Sequence, residues 1–279
     1  MKQDTTASDW AAERGEKWRT QLSGLEAMMR PIDEPLIRAL CLDTPCRVAD
    51  IGCGGGGTTL EILRHAPSGS MVHGFDISPA LIESARARVP AAEHSIAFYL
   101  ADMSSAAPPQ EPYDRLVSRF GIMFYDDPPG AFANVARWLA PGGRFAFAAW
   151  GLPSANPWMT ILRDVTAEIV EVPRADPEAP GPFRYADAKK LLTLLDQAGF
   201  SELEVVDWKE AIPIGGGLPA AEAAHFALAS FSSFGELLAE AGTDALDAAL
   251  RSLTERLLKM ERDGIVRMDA CVHIFTGRR

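Results

Sequence analysis

Short apolar runs alternate with helix-like stripes of apolar residues from residue 47 to residue 150. The first three runs cover residues 47–51, 71–76 and 96–102, and each has the length and the flanking turn signals of a β-strand. Residues 79–89 follow the second run as a helix that Ser78 caps and Pro79 begins. This alternation predicts a parallel sheet with helices on both of its faces.

Before the first strand, apolar residues recur at spacings of four, three and four, which is the period of an amphipathic helix. The residues of this stripe are Trp18, Leu22, Leu25 and Met29, and Trp10 extends the same face. Pro31 interrupts the stripe and Pro35 opens a second helical stretch that reaches Leu42. Two helices are therefore expected ahead of the sheet.

After residue 150 the regular alternation is lost. Residues 157–172 are helical between segments rich in proline and glycine, residues 187–198 form an amphipathic helix, and residues 203–208 form a strand. Residues 215–264 are helical and too long for a simple connection, so they are interpreted as a cap. From Val266 onward apolar and polar residues alternate, which predicts a last strand.

The turn after the first strand contains five glycines in the six positions from Gly52 to Gly57. Glycines let a ligand approach the backbone, and the first amides of the following helix would face that ligand. Gly52, Gly54 and Gly57 also satisfy the G-x-G-x-x-G pattern of dinucleotide sites. However, Asp50 precedes the turn, and its carboxylate would repel a pyrophosphate while attracting the ammonium and sulfonium of S-adenosyl-L-methionine.

The stretch Asp50-Ile-Gly52-Cys-Gly54-Gly-Gly56 resembles the first motif of the class I S-adenosylmethionine-dependent methyltransferases, which is acid-x-Gly-x-Gly-x-Gly. Residues 113–119 and 139–150 resemble the fourth strand of that family and its Pro-Gly-Gly turn into the fifth strand. The resemblance covers about residues 46–151. It implies S-adenosyl-L-methionine as the cofactor and S-adenosyl-L-homocysteine as the product.

The resemblance also implies roles for individual residues. Asp76 would accept hydrogen bonds from both ribose hydroxyls, Asp102 would accept one from the adenine amino group, and Ile77 and Met103 would sandwich the adenine ring. Arg119 is expected to pair with the methionyl carboxylate or with Asp102, or to form a structural ion pair. The full set of expected cofactor-binding residues is Asp50, Gly52, Cys53, Gly54, Asp76, Ile77, Ala101, Asp102, Met103, Ser118, Arg119 and Trp18.

The fold implied is an α/β, Rossmann-like, doubly wound sheet of seven mostly parallel strands, with an antiparallel last strand near its edge. The expected division is residues 1–45 as an N-terminal helical lid, 46–151 as the cofactor-binding core, 152–182 as an excursion, 183–213 as a continuation of the core, 214–264 as the helical cap, and 265–279 as the last core strand.

The acceptor pocket is expected beyond the carboxyl ends of the fourth and fifth strands, under the N-terminal helices and the cap. Its expected lining is Trp10, Met123, Phe124, Trp150, Trp158, Phe226 and Phe231, with Met159 and Phe234 nearby. Because these segments contain few lysines and arginines, we expect a largely apolar cavity for an apolar or aromatic metabolite. His225 is the candidate general base for an acceptor that must lose a proton. The sequence leaves open whether oxygen, nitrogen or carbon is methylated.

Composition narrows the possible partners. The formal net charge is −11 without a basic cluster, which argues against a nucleic-acid substrate. No apolar run is long enough to cross a bilayer, and four cysteines without a C-x-x-C pair indicate reduced thiols, so a cytoplasmic location is expected. The five histidines lack ligand spacing, which predicts no metal site. The oligomeric state is left open.

Two alternatives to methyl transfer are considered. Tyr185 and Lys189 form the Y-x-x-x-K pair of short-chain dehydrogenases, and with the G-x-G-x-x-G match they suggest a nicotinamide-dependent oxidoreductase. The position of Asp50 before the glycine turn disfavours that interpretation. The second alternative is a protein that binds S-adenosyl-L-methionine without turning it over.

Overall fold

The computed structural model describes residues 11–174, 176–230 and 232–279. Trp10 and Phe231, which the sequence places in the acceptor pocket, lie outside these described residues. Within the described ranges, no helix combines the length and the apolarity that crossing a bilayer requires.

One twisted sheet organises the chain. Seven of its strands follow the order β3-β2-β1-β4-β5-β8-β6, and the very short β7 pairs with β8. The strands are β1 (Arg47–Ile51), β2 (Met71–Asp76), β3 (Ile96–Leu100), β4 (Tyr113–Arg119), β5 (Leu139–Trp150), β6 (Ser201–Pro213), β7 (Glu261–Arg262) and β8 (Ile265–Arg278). β1 to β5 pair in parallel, and β8 runs antiparallel to both β5 and β6.

The helices cover the two faces and one end of this sheet. They are α1 (Glu13–Thr20), α2 (Leu22–Met29), α3 (Asp33–Ala39), α4 (Gly57–His65), α5 (Pro79–Arg86), α6 (Pro128–Trp138), α7 (Pro157–Ala167), α8 (Ala188–Gln197), α9 (Ala220–Ser230), α10 (Ser232–Glu240) and α11 (Thr243–Leu258). Short 3₁₀ turns include Arg30–Ile32 and Gly121–Phe124. Ser78 and Asp187 cap α5 and α8 through their side-chain oxygens.

The core lies along the central strands, where both faces of the sheet are covered. Phe145 and Phe147 on β5 and Phe275 on β8 are fully buried. β8 alternates between buried and exposed residues only up to Asp269, and every residue from Ala270 to Gly277 is buried. Most residues of β6 are exposed or partly exposed, because β6 is the edge strand.

The predicted α/β fold with its mostly parallel sheet and antiparallel last strand is confirmed. The structure refines its details: β8 lies one position inside the edge, between β5 and β6. Among the described residues, the segment from Glu13 to Ala39 holds three helices, because the chain breaks at Gln21 as well as near Pro31. The helix expected over residues 157–172 ends at Ala167. The division of the chain into lid, core and cap stays a prediction.

The strand order places a ligand site at one edge of the sheet. β1 pairs with β2 on one side and with β4 on the other, so the helices that follow these strands diverge to opposite faces. A crevice therefore opens at the carboxyl ends of β1 and β4, which is where open α/β sheets bind ligands. The glycine turn, Asp76 and Arg119 all lie at these strand ends.

Candidate functional site

The glycine turn between β1 and α4 adopts backbone conformations that favour glycine. Gly52, Gly54 and Gly56 have φ values of +69°, +55° and +83°. A Cβ on Gly52 would lie 2.8 Å from the Cα of Gly121, so this glycine permits close packing against the turn after β4. A Cβ on Gly54 would meet no atom within 4 Å, because Gly54 faces the open cavity. A ligand can therefore approach the backbone at Gly54.

Asp76, at the end of β2, holds this turn in place. Its Oδ2 accepts a hydrogen bond of 2.8 Å from the backbone N–H of Gly54, and its Oδ1 accepts one of 2.9 Å from that of Ser78. Burial raises the pKa of Asp76, and the backbone hydrogen bonds from Ser78 and Gly54 oppose that shift. Asp76 also lines the cavity, so one carboxylate both fixes the turn and faces a ligand.

Asp50, the last acid of β1 before the turn, is only 1% exposed. Its Oδ2 accepts a hydrogen bond of 2.7 Å from the hydroxyl of Thr59 on α4. Burial raises the pKa of Asp50 to about 7, although the Thr59 hydrogen bond and the charge of Arg119 act in the opposite direction. A positive ligand group in the cavity would favour the ionised form of this carboxyl.

Asp102 occupies the turn after β3. Its Oδ1 accepts a hydrogen bond of 2.9 Å from the backbone N–H of Ser104, and its Oδ2 accepts one of 2.9 Å from the hydroxyl of Ser105. The N–H of Ala101 donates to the carbonyl of Asp76, which joins this turn to the end of β2. Ala101, Asp102 and Met103 all line the cavity. The contacts of Asp102 with an adenine ring stay a prediction.

Arg119, the last residue of β4, forms an ion pair with Asp33 of α3. Its Nη1 lies 3.0 Å from Oδ1 of Asp33, and the two side chains are 11% and 9% exposed. The same Asp33 oxygen accepts a hydrogen bond of 2.8 Å from the hydroxyl of Thr58, at the start of α4. Of the interactions expected for Arg119, the structure shows the structural ion pair. Its partner is Asp33 and not Asp102. The network connects α3, α4 and β4 at the cavity.

These strand ends open into one cavity of about 1420 Å³ with a mainly apolar lining. It brings together most of the residues that the sequence predicts for the cofactor, namely Trp18, Asp50, Gly52, Cys53, Gly54, Asp76, Ile77, Ala101, Asp102, Met103 and Arg119. The prediction for Ser118 is wrong, because its side chain is fully buried and its hydroxyl donates a hydrogen bond of 2.8 Å to the carbonyl of Ile51. Ser118 holds β4 against β1 and does not line the cavity.

An aromatic wall lies further along the same cavity. The rings of Phe120 and Trp150 stack with centroids 4.1 Å apart, and the ring of Trp158 lies 4.8 Å from that of Trp150. Phe120 has a φ of +69°, which is costly for a side chain other than glycine and is often found at functional sites. The cavity lining also includes Met123, Phe124, Met159 and Phe234. This arrangement provides flat, apolar surface for an aromatic or aliphatic ligand.

Two predictions for the cap are wrong. Phe226 is buried outside the cavity lining, and its ring lies where a Cβ on Gly24 would approach to 2.6 Å, so it packs α9 against α2. His225, the candidate general base, is exposed and does not line the cavity. Phe226 faces the core of the protein and His225 faces outward, so neither side chain lines the cavity.

Basic residues also line the cavity, contrary to the expectation of few lysines and arginines. They are Arg14, Lys17, Arg163, Arg174 and Arg184. Lys17 of α1 forms an ion pair with Glu236 of α10, with Nζ and Oε1 2.5 Å apart, and Arg184 donates a hydrogen bond to the carbonyl of Tyr125. This group could not be predicted from the sequence, because its members lie on four separate segments. One sequence feature did point to this region: the proline-rich stretch near Arg174 predicts a loop outside the sheet.

No histidine belongs to the described lining of the cavity. Tyr125 does line it, but its hydroxyl is buried without a hydrogen-bond partner in the described part of the chain. Burial raises the pKa of this hydroxyl far above its ordinary value. Neither Tyr185 nor Lys189 reaches the cavity: Tyr185 is 1% exposed in the core and Lys189 lies at the surface. The Y-x-x-x-K pair therefore forms no site there.

Comparison with known proteins agrees with this geometry. The family model described as "Methyltransferase domain" matches residues 48–143, which run from the second residue of β1 through β4 and include the glycine turn. Trans-aconitate 2-methyltransferase of Methylobacterium radiotolerans is 32% identical over 190 residues, which are 65% of this chain and 66% of that protein. Aklanonic acid methyltransferase of Streptomyces sp. strain C5 is 35% identical over 37% of this chain and 47% of that protein.

The chain therefore aligns with less than two thirds of the length of either relative. Among solved structures, phosphoethanolamine N-methyltransferase 2 of Haemonchus contortus, in complex with S-adenosyl-L-methionine, has a TM-score of 0.53 at 17% identity. That match covers 89% of this chain and 52% of the other. At this identity it supports the fold alone.

Proposed function

Because the chain belongs to the class I S-adenosylmethionine-dependent methyltransferases, we propose that it methylates a small, largely apolar or aromatic molecule. S-adenosyl-L-methionine is the cofactor of this family, and its sulfonium supplies the electrophilic methyl group, so the protein mainly positions the acceptor. The observation that carries the proposal is the single cavity that joins the acidic strand ends of β1, β2 and β3 to an aromatic wall.

The residues at the strand ends fit S-adenosyl-L-methionine. Asp50, Asp76 and Asp102 all line the cavity, and the one arginine among these strand ends, Arg119, is already paired with Asp33. These acids attract the ammonium and the sulfonium, and the ion pair with Asp33 makes Arg119 less available to a pyrophosphate. The open space above Gly54 admits the ligand to the backbone. A nicotinamide dinucleotide fits this charge pattern poorly.

We assign each acid a separate part of the cofactor. Asp76 accepts hydrogen bonds from the ribose hydroxyls while its position is fixed by the N–H groups of Gly54 and Ser78. Asp102 accepts a hydrogen bond from the adenine amino group, and Ile77 and Met103 hold the ring. Asp50 lies buried beside Thr59 and stabilises the cofactor's positive charge at longer range.

The acceptor lies against the aromatic wall. Phe120, Trp150 and Trp158 present stacked and tilted rings beside the strand ends, and Met123 extends the apolar surface. A flat apolar molecule would displace water from these rings when it binds. The N-terminal and cap helices close over it through the ion pair of Lys17 with Glu236. Water is thereby excluded from the methyl group.

We further propose that the methylated atom is a carboxylate oxygen. The described lining contains no histidine, and the buried Tyr125 hydroxyl holds its proton strongly, so an acceptor that is already deprotonated suits the site best. Arg163 and Arg174 line the cavity, are exposed and can attract an anion. Trans-aconitate 2-methyltransferase and aklanonic acid methyltransferase are both named for acids, which supports the same choice.

Turnover with a methyl-labelled cofactor tests this proposal. The purified protein is incubated with small aromatic and aliphatic acids, their primary amides and the corresponding phenols, and products are identified by mass spectrometry. We expect labelled methyl esters, which alkali hydrolyses, from acids only. Arg163→Gln should raise KM for acids more than it lowers kcat, because the arginine attracts the ground-state anion. Label on nitrogen, carbon or a phenol would contradict the carboxylate assignment.

The same experiment decides the remaining alternative, a protein that binds the cofactor without turnover. Such a protein would bind S-adenosyl-L-methionine and yield no labelled product from any acceptor, including a metabolite extract. The enzyme proposal predicts labelled product from at least one compound in the extract. Asp187→Ala, which removes a helix cap outside the cavity, serves as the matched control and should retain turnover.

A further inference from the structure

A cluster of metal-ligating side chains lies on β6 and β8, apart from the cavity lining. Asp207 of β6 is directly opposite His273 of β8, and Cys271 is two residues from His273 and shares its face of the strand. One potential ligand atom from each of the three lies within 4.8 Å of the others. The sequence predicted no metal site because these residues are 64 and 66 positions apart along the chain and only the antiparallel pairing joins them.

The two ring nitrogens of His273 both face acceptor oxygens. Nδ1 lies 2.7 Å from Oδ1 of Asp207, and Nε2 lies 3.1 Å from the carbonyl oxygen of Ala186. A neutral imidazole carries one N–H and can satisfy one of these oxygens. The other nitrogen would then direct its lone pair at an oxygen. Nδ1 and Oδ1 of Asp207, at 2.7 Å, would have to move apart to share one cation. A cation at this position would satisfy an oxygen that a neutral imidazole leaves without a donor.

We propose that Asp207, Cys271 and His273 bind a zinc-type divalent cation. Thiolate, imidazole and carboxylate together suit Zn²⁺, and water would complete a tetrahedral set on the exposed side of Asp207. His273 would bind through Nδ1 while its Nε2–H donates to the carbonyl of Ala186, the kind of outer contact that orients metal-bound imidazoles. Lys209 holds the other carboxylate oxygen, with Nζ and Oδ2 2.9 Å apart, which leaves Oδ1 for the cation.

Local packing provides room for the thiolate. A Cβ on Gly151 would lie 2.7 Å from Sγ of Cys271, so the glycine at the end of β5 leaves space for that sulfur. Cys271 would bind as the thiolate, so its thiol proton would pass to solvent when the cation binds. Ala186 belongs to the cavity lining, so the cation would anchor one wall of the cavity.

Cobalt binding tests the site directly. Co²⁺ is titrated into the chelator-treated, tag-free protein with Cys41→Ser as the background, because Cys41 is an exposed thiol. We expect one equivalent to bind with a thiolate-to-cobalt charge-transfer band, and equimolar Zn²⁺ to displace it. Cys271→Ser should abolish the band, and His273→Gln should lower affinity at least tenfold. Lys209→Met should raise affinity, because it removes a competing cation from Asp207.

The wild-type titration keeps the proposal testable even if a variant fails to fold. A folded protein that gives no charge-transfer band at a tenfold excess of Co²⁺ would overturn the proposal. A band that persists in folded Cys271→Ser would also overturn it. Asp269→Asn changes an exposed acid on the same strand and should leave the band unchanged.

Discussion

Replacement of Asp76 by alanine tests the double role of this carboxylate. In the folded protein its two oxygens accept hydrogen bonds from the backbone N–H groups of Gly54 and Ser78. In the proposed complex the same oxygens also accept the ribose hydroxyls. Asp76→Ala therefore removes contacts to the turn and to the ligand together, and the two losses can be measured separately.

The structure sets the size of each loss. A hydrogen bond to a charged group contributes about 1.5–3 kcal/mol, so the loss of the ribose contacts should weaken S-adenosyl-L-homocysteine binding about 10- to 150-fold. The loss in stability should be smaller than two such bonds would suggest. Burial raises the pKa of Asp76, so its hydrogen bonds do not fully offset the free-energy cost of burying the charged carboxylate. Replacement by alanine removes that cost together with the hydrogen bonds. We expect a decrease of about 1–3 kcal/mol in the free energy of unfolding.

Calorimetric titration gives the affinity, and urea unfolding of the ligand-free protein gives the stability. Asp187→Ala is the matched control, because Asp187 accepts a backbone N–H of α8 at 3.1 Å and does not line the cavity. The control should lose about 1 kcal/mol of stability and retain its affinity. If folded Asp76→Ala binds S-adenosyl-L-homocysteine as tightly as the wild type, the assignment of Asp76 to the ribose is wrong.

Three other substitutions test, one each, the buried charge of Asp50, the backbone conformation at Gly54 and the closure of the cavity by Lys17. Because folding raises the pKa of Asp50 from 3.8 to about 7, its contribution to stability is lost as pH rises through that window, and Asp50→Asn should flatten the pH dependence of urea unfolding. Gly54→Ala, at a φ of +55°, should cost about 1–2 kcal/mol in thermal unfolding and weaken cofactor binding at least tenfold in calorimetry. Lys17→Ala should change stability by less than about 1 kcal/mol but speed cofactor release in stopped flow, and exchanging the charges of Lys17 and Glu236 should restore the slow rate. An unchanged pH profile, affinity or release rate would contradict the respective assignment.

Local sequence was sufficient for the parts of the site that one segment builds alone. The turn from Gly52 to Gly56 needs left-handed backbone conformations, and the sequence supplies glycine at each such position. Asp76 is the last residue of β2, and the apolar run that it ends predicts its position at the strand end. The parallel sheet could also be predicted, because alternating strands and helices leave few other arrangements.

Contacts between distant segments could not be predicted in the same way. Arg119 and Asp33 are 86 residues apart, and their pairing depends on how α3 packs over the end of β4. The error for Phe226 is of the same kind: its helix was predicted, but the face of the helix that meets the cavity depends on the packing of α9 against α2. The group of basic residues around the cavity also forms only when separate segments come together.

Calorimetric titration of the wild-type protein with S-adenosyl-L-methionine, in parallel with NAD and NADP, tests the central claim most directly. The acidic strand ends and the open backbone at Gly54 predict binding of one equivalent with a dissociation constant in the micromolar range, and no heat from either dinucleotide. Absence of binding at millimolar S-adenosyl-L-methionine, or tighter binding of a dinucleotide, would contradict the account.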